Sequence, residues 1–351
     1  GAGSAFVQTV QSSMGLHRLP NGNVTEDPND EARMTNDETM SKRVRRFCIV
    51  LALLLIIPSS TVASVKGGRP TQLSGYKAVR VHYSPLNKMI MSVRINGQPA
   101  NLLVDTGSNQ VILDAASAES FGVRPSQRDL RYIQFTRING QLLPVGFAQS
   151  LIAGSMNFGS TPVTLRDSSH SDTGDARVDG VLGLDLLTRH KAVINCWTKL
   201  VFFKVDQTRQ MNLSSVAAAE KFTRIPLRRE RNGALTVPCS IRGQPARLLV
   251  DTGAFITIFH EAFLKSVGIP VEATRVSAHF ARGAARKVSV GQINDLKIGG
   301  FKTPPAKFGV TALPNFTLLQ SSARISGILG MDTLYTCHGI IDFDSMSLFV
   351  K

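Results

Sequence analysis

Two copies of the tripeptide Asp-Thr-Gly stand at Asp105-Thr106-Gly107 and Asp251-Thr252-Gly253. Each follows the apolar run Leu-Leu-Val and precedes another, Val111-Ile112-Leu113 or Ile256-Thr257-Ile258. This placement buries a carboxyl at the tip of a turn between strands, where glycine lets the backbone turn and bring its amide close. One such carboxyl is a weak signal. Two of them held together are a stronger one: both cannot ionise, so one keeps a proton while the other is charged. The pair can then offer a general acid and a general base at once. A third copy, Asp172-Thr173-Gly174, follows the polar stretch Ser168-Ser169-His170-Ser171 and reads as an ordinary surface turn.

The elements that must position these residues are repeated. The segment Ile95–Gly107 returns as Ile241–Gly253, and from Gly97 to Gly107 ten of eleven positions are identical. Gly122-Val123 is matched in the same register by Gly268-Ile269. Further on, Gly180-Val181-Leu182-Gly183-Leu184-Asp185 is matched by Gly327-Ile328-Leu329-Gly330-Met331-Asp332, and apolar strands close both copies at Leu200–Phe203 and Leu348–Val350. The chain therefore divides into residues 1–39, an upstream extension; 40–63, a leader; 64–204, a first lobe; 205–222, a linker; and 223–351, a second lobe. Residues 64–85 read as a propeptide or a lead-in strand.

Short apolar runs between Gly, Pro and Asn, such as Met89–Ile95, Leu102–Val104 and Ile340–Phe343, make each copy mostly β. One short helix is expected in each, Ala115–Phe121 and Glu261–Val267, ended by Gly122 and Gly268. Asp185 and Asp332 precede short helical runs, Leu186–His190 and Thr333–His338, and are expected to cap them. His190 and His338 read as structural.

Over roughly Met89–Lys204 and Thr236–Lys351 the sequence resembles the pepsin/retropepsin superfamily of aspartic proteases, and most closely its compact retropepsin-like members. The resemblance rests on Asp105-Thr106-Gly107-Ser108, Asp251-Thr252-Gly253-Ala254 and the hydrophobic-hydrophobic-Gly elements ending at Gly183 and Gly330. It implies two tandem β-barrel lobes about a pseudo-twofold axis. Asp105 and Asp251 would share a water as the catalytic pair, and Thr106 and Thr252 would hydrogen-bond across the axis. It also implies an endopeptidase acting on peptide or protein, without cofactor or metal, that works as a monomeric pseudo-dimer. A hairpin flap is expected over the site, at Phe135–Leu142 with Asn139-Gly140 at its turn, or at Phe280–Arg286 with Gly283. Arg137, Arg282 and Arg286 on these hairpins read as solvated surface rather than as a preference for acidic groups.

The two motifs differ at their fourth residue, Ser108 against Ala254. A hydroxyl donating to a carboxylate lowers its pKa, so Asp105 is expected to be the more readily ionised partner and Asp251 the proton carrier. This is a bias within one coupled titration.

The apolar fraction of 43% is enough for real cores, and 40 Lys+Arg against 25 Asp+Glu give a net charge of +15. The basic residues are scattered and no nucleic-acid motif is present, so a general cationic surface is expected and nucleic-acid binding is not. The four cysteines show no metal spacing and the histidines form no HExxH. Lys42-Arg43-Val44-Arg45-Arg46, the apolar run Phe47–Ile57 and the small residues Ser60–Ala63 form a secretory leader whose expected start is Met40. Its apolar run is shorter than the roughly 20 residues of a bilayer span. An exported protein, periplasmic or secreted, is expected, the alternative being an anchor formed by an uncleaved leader. Rival readings are an inactive peptide-binding protein of the same fold, a homodimer pairing like lobes, and a basic exported protein binding anionic polymers.

Overall fold

The structure, a computed structural model, describes residues 73–126, 135–138, 141–167, 177–278, 286–313 and 325–351. The extension, the leader, Asp172-Thr173-Gly174 and both flap tips, with Asn139-Gly140, Arg282 and Gly283, lie outside the described residues.

The molecule is mainly β. Strands Met89–Ile95 and Gln98–Val104 form a hairpin whose turn residues Asn96 and Gly97 have φ of 50° and 83°. Leu235–Ile241 and Gln244–Val250 repeat it, with Arg242 and Gly243 at 50° and 76°. Two-residue turns of this hand match the twist of the flanking strands. In each half a short strand, Gly180–Leu182 or Ile325–Leu329, runs parallel to the strand that leads into the motif. It also pairs antiparallel with the strand that leaves the motif, Ile112–Asp114 or Ile258–His260. The motif turn is thus bracketed from both arms by one strand. In the first half, Met89–Ile95 also pairs with Gln141–Ala153, which curls that sheet on itself.

A third sheet is built from both halves. Its order is Tyr76–Arg80, Leu200–Lys204, Val193–Asn195, Ile340–Asp342, Ser347–Val350, Thr223–Pro226. The join is antiparallel, Val193 opposite Asp342 and Asn195 opposite Ile340. One continuous core accordingly runs from Met89, Leu102 and Phe203 to Leu248, Phe259 and Leu348. Lys204, 3% exposed, crosses from the first half to Asp344, with Nζ 2.7 Å from Oδ2. Tyr76–Arg80 is a strand of this sheet, paired antiparallel with Leu200–Lys204.

The helices correct one expectation. Ala115–Ser120 and Glu261–Ser266 lie where the sequence places them, and the short runs expected beside Asp185 and Asp332 are full six-residue helices, Leu184–Arg189 and Met331–Thr336, so each half carries two short helices. Between the halves, Leu213–Ala219 is helical too, started by Asn212, whose side chain accepts the Ser215 N–H at 3.1 Å. No helix among the described residues is long and apolar enough to cross a membrane.

Candidate active site

Each motif turn is built locally first. The Asp105 N–H donates to the Leu182 carbonyl at 3.1 Å, and the Asp251 N–H donates to Leu329 at 3.1 Å. The bracketing strands thereby fix where both aspartates start. Gly107 N–H then donates to Asp105 Oδ1 at 2.7 Å, and Gly253 and Ala254 N–H donate to Asp251 Oδ1 at 2.8 and 3.1 Å. Both carboxyls are fully buried.

The two turns then meet. Thr106 N–H donates to Thr252 Oγ1 and Thr252 N–H to Thr106 Oγ1, each at 3.0 Å. The same hydroxyls donate onward, Thr106 to the Val250 carbonyl at 2.9 Å and Thr252 to the Val104 carbonyl at 2.8 Å. Each hydroxyl thus donates once and accepts once across to the opposite half. Each carboxyl also rests on the opposite motif's glycine. A Cβ built on Gly107 would lie 2.7 Å from Asp251 Cγ, and one on Gly253 would lie 2.6 Å from Asp105 Cγ. No residue but glycine fits there, because the obstacle is the facing carboxyl itself.

Burial, then the charge of Asp105, then a hydrogen bond with Asp105, push Asp251 well above the usual carboxylate range; the Gly253 and Ala254 N–H groups oppose this only in part. The pair therefore retains a proton where isolated carboxyls would have lost theirs. Proton and charge belong to the pair jointly.

Ser108 is a correction. Its Oγ donates to the Gln110 carbonyl at 3.1 Å, so its single proton is committed away from Asp105. Burial and the neighbouring Asp105 are the largest causes that raise Asp251.

Gly183 and Gly330 sit where helix and motif loop touch. A Cβ on Gly183 would meet the Gln110 carbonyl oxygen at 2.4 Å, and one on Gly330 would meet Ile256 backbone at 2.4 Å. This approach lets the helix N-termini serve the loops: Leu184 and Asp185 N–H donate to Ser108 and Asn109 carbonyls, and Met331 and Asp332 N–H donate to Ala254 and Phe255 carbonyls. Asp185 and Asp332 do not cap these helices. The helices start two residues earlier than the sequence suggested, at Leu184 and Met331 with Gly183 and Gly330 at the caps, which places both acids inside the first turn. From there Asp185 accepts the Val111 N–H at 3.2 Å, and Asp332 accepts the Thr257 N–H and hydroxyl at 2.8 and 2.7 Å. Burial raises both acids above the usual range, against those hydrogen bonds.

His190 packs edge-on against Phe158 and Phe203, and His338 stacks on Trp197 with ring centroids 4.1 Å apart. Neither contact involves the motif turns. Of the two flap candidates, Phe135–Ile138 pairs with the start of Gln141–Ala153, Phe135 opposite Pro144 and Ile138 opposite Gln141. Phe135 and Leu142 on this hairpin are 53% and 57% exposed. For the second candidate, Ala278 pairs with Arg286 at the base of its hairpin. No group of metal-ligating side chains occurs among the described residues. The sequence reading passed over Asn109 and the turn Glu230–Ala234 beside it, although the Asn232-Gly233 dipeptide marks that turn.

Comparison with known proteins bears on the same residues. Residues 91–189 match the gag-polyprotein putative aspartyl protease family, and residues 237–333 match the aspartyl protease family. Both stretches belong to the retropepsin-like aspartyl proteases. Each matched stretch contains one of the two strand-flanked Asp-Thr-Gly motifs, at Asp105 or Asp251, and its hydrophobic-hydrophobic-Gly element. DNA damage-inducible protein 1 of Yarrowia lipolytica (strain CLIB 122 / E 150) is 32% identical over 104 residues, 30% of this chain. The match spans 24% of that relative's length. Among solved structures, the aspartic proteinase from Irpex lacteus is similar at 14% identity and a TM-score of 0.43, over 78% of this chain and 96% of its own. Basic 7S globulin from soybean is similar at 10% identity and a TM-score of 0.45, over 79% and 94%.

Proposed function

We propose that the protein is an aspartic endopeptidase whose catalytic pair is Asp105 and Asp251. The observation that carries this reading is the mutual burial of the two carboxyls, each packed on the facing motif's glycine, with Asp251 raised by burial and by Asp105. The ionised member takes a proton from a water molecule, whose oxygen adds to the peptide carbonyl carbon. The protonated member gives its proton to the carbonyl oxygen. On collapse the protonated carboxyl gives its proton to the amine nitrogen while the other carboxylate takes one hydroxyl proton from the gem-diol, so the C–N bond breaks and the pair is again singly protonated. Thr106 and Thr252 hold the turns in register, and Gly107 and Gly253 let the acids approach. The lobes 64–204 and 223–351 act as a pseudo-dimer within one chain, so a monomer suffices. The Phe135–Leu142 hairpin serves as flap, and the leader at 40–63 directs export, to periplasm or medium.

The test is cleavage of a denatured protein by the purified chain, with and without pepstatin. Cleavage by a monomeric species, blocked by pepstatin and abolished by Asp105→Asn, is the expected result. A folded, monomeric wild type that binds peptides but cuts none across the acid to neutral range would replace the endopeptidase with an inactive peptide-binding protein.

A further inference from the structure

Ser84–Lys88 and Glu230–Ala234 hold equivalent places in the two halves, just ahead of strands Met89–Ile95 and Leu235–Ile241. Both are tight turns of one design. Ser84 N–H donates to the Lys88 carbonyl at 3.1 Å and Asn87 N–H to the Ser84 carbonyl at 2.9 Å. Glu230 N–H donates to the Ala234 carbonyl at 2.8 Å and Gly233 N–H to the Glu230 carbonyl at 2.9 Å. Asn87 and Gly233 share the left-handed backbone, at φ of 56° and 87°.

The second turn reaches across to the first motif. Asn109, four residues beyond Asp105, donates from Nδ2 to the Asn232 carbonyl at 3.2 Å. Its Oδ1 is packed against Gly233, where an added Cβ would lie 2.5 Å from it. The backbone carbonyl of the same Asn109 accepts the Asp185 N–H at 3.1 Å. One residue thus joins the Asp105 turn, the helix Leu184–Arg189 and a turn from the other half. That turn is firmly seated. Glu230, 5% exposed, accepts the Thr236 hydroxyl at 2.8 Å, and the Nε atoms of Arg247 and Arg228 each lie 3.5 Å from its Oε1. Asn232 Oδ1 accepts the Ala234 N–H at 3.1 Å.

The repeat places Phe255 where Asn109 stands, 7% exposed. Its carbonyl receives the Asp332 N–H at 3.1 Å, as in the first half, but a phenyl ring has no amide to give to a facing turn. The Asn109 amide therefore has no counterpart at Phe255.

We infer that Asn109 is a positioning residue, a clamp between halves that fixes the Asp105 turn against the Glu230–Ala234 turn and so holds Asp105 in place opposite Asp251. Its catalytic consequence rests on the endopeptidase reading; the clamp itself does not. The orientation of a catalytic group is where small displacements cost most in rate, so the loss should appear in kcat.

The experiment compares wild type, Asn109→Ala, Gly233→Ala and the double variant by thermal unfolding and by steady-state cleavage of a peptide. The backbone cost of alanine at Gly233 is the same with or without Asn109 and cancels in the cycle, which leaves the direct contact. The expected result has two parts: a smaller loss for Gly233→Ala once Asn109 is alanine, and a kcat lowered about five- to tenfold in Asn109→Ala with KM within about twofold. Additive effects on unfolding overturn the clamp, and so does a kcat per folded molecule equal to wild type. If wild type itself cleaves nothing, the endopeptidase reading fails, and the clamp stands or falls on the unfolding cycle alone.

Discussion

The hydroxyl of Thr252 accepts the backbone N–H of Thr106 at 3.0 Å and donates to the carbonyl of Val104 at 2.8 Å, so one side chain serves two backbone groups of the opposite half. Thr106 returns the arrangement to Thr252 and Val250. These four bonds tie together residues 144 to 148 positions apart. Replacing Thr106 by valine leaves the Thr252 N–H and the Val250 carbonyl buried without those partners, at a cost of about 3 kcal/mol in unfolding free energy. The double variant Thr106→Val/Thr252→Val should lose less than the sum of the singles, since both belong to one network. Thr106→Ser keeps the hydroxyl and should stay within about 1 kcal/mol of wild type. Denaturant titration reads wild type and these four variants, and strict additivity would contradict the coupling.

Asp251 carries a pH dependence whose sign is fixed by its raised folded-state pKa. Unfolded, it titrates near 3.8; folded, it and Asp105 hold their shared proton to higher pH. Between these points the native state binds more protons, so stability falls as pH rises. The slope approaches about 1.4 kcal/mol per pH unit for one proton. Asp185 and Asp332, also raised by burial, add a background of the same sign. Asp251→Asn should therefore be more stable than wild type at neutral pH, with a flatter profile above pH 4. Parallel profiles for the two proteins would refute this account.

Ser108 should be silent in the pH–rate profile. Its hydroxyl is bound to the Gln110 carbonyl, so Ser108→Ala should leave the acid limb where it is and cost about 1 kcal/mol of stability. A shift of that limb to higher pH would restore Ser108 as a direct partner of Asp105.

Much of this molecule is legible in its residues alone, because the signals are local. Alternation and short apolar runs mark the strands, Gly122 and Gly268 mark the ends of Ala115–Ser120 and Glu261–Ser266, and the recurrence of Gly97–Gly107 marks the repeat. The backbone preference of each residue and its nearest neighbours suffices for such features. Other features depend on partners far along the chain. The approach of Gly183 to Gln110 and of Gly330 to Ile256 decides where the second helices begin, and so moves Asp185 and Asp332 off the cap. The Ser108 hydroxyl takes whichever acceptor the folded turn offers, and only the folded turn shows that this is Gln110. The shared sheet, with Ile194 opposite Ile341, and the contact of Asn109 with Asn232 join segments that no local pattern connects. The sequence determined that two Asp-Thr-Gly motifs, at Asp105 and Asp251, stand between apolar strands. The tertiary structure decided that Asp105 lies against Gly253 and Asp251 against Gly107, because packing between the halves sets that distance and local backbone preference does not.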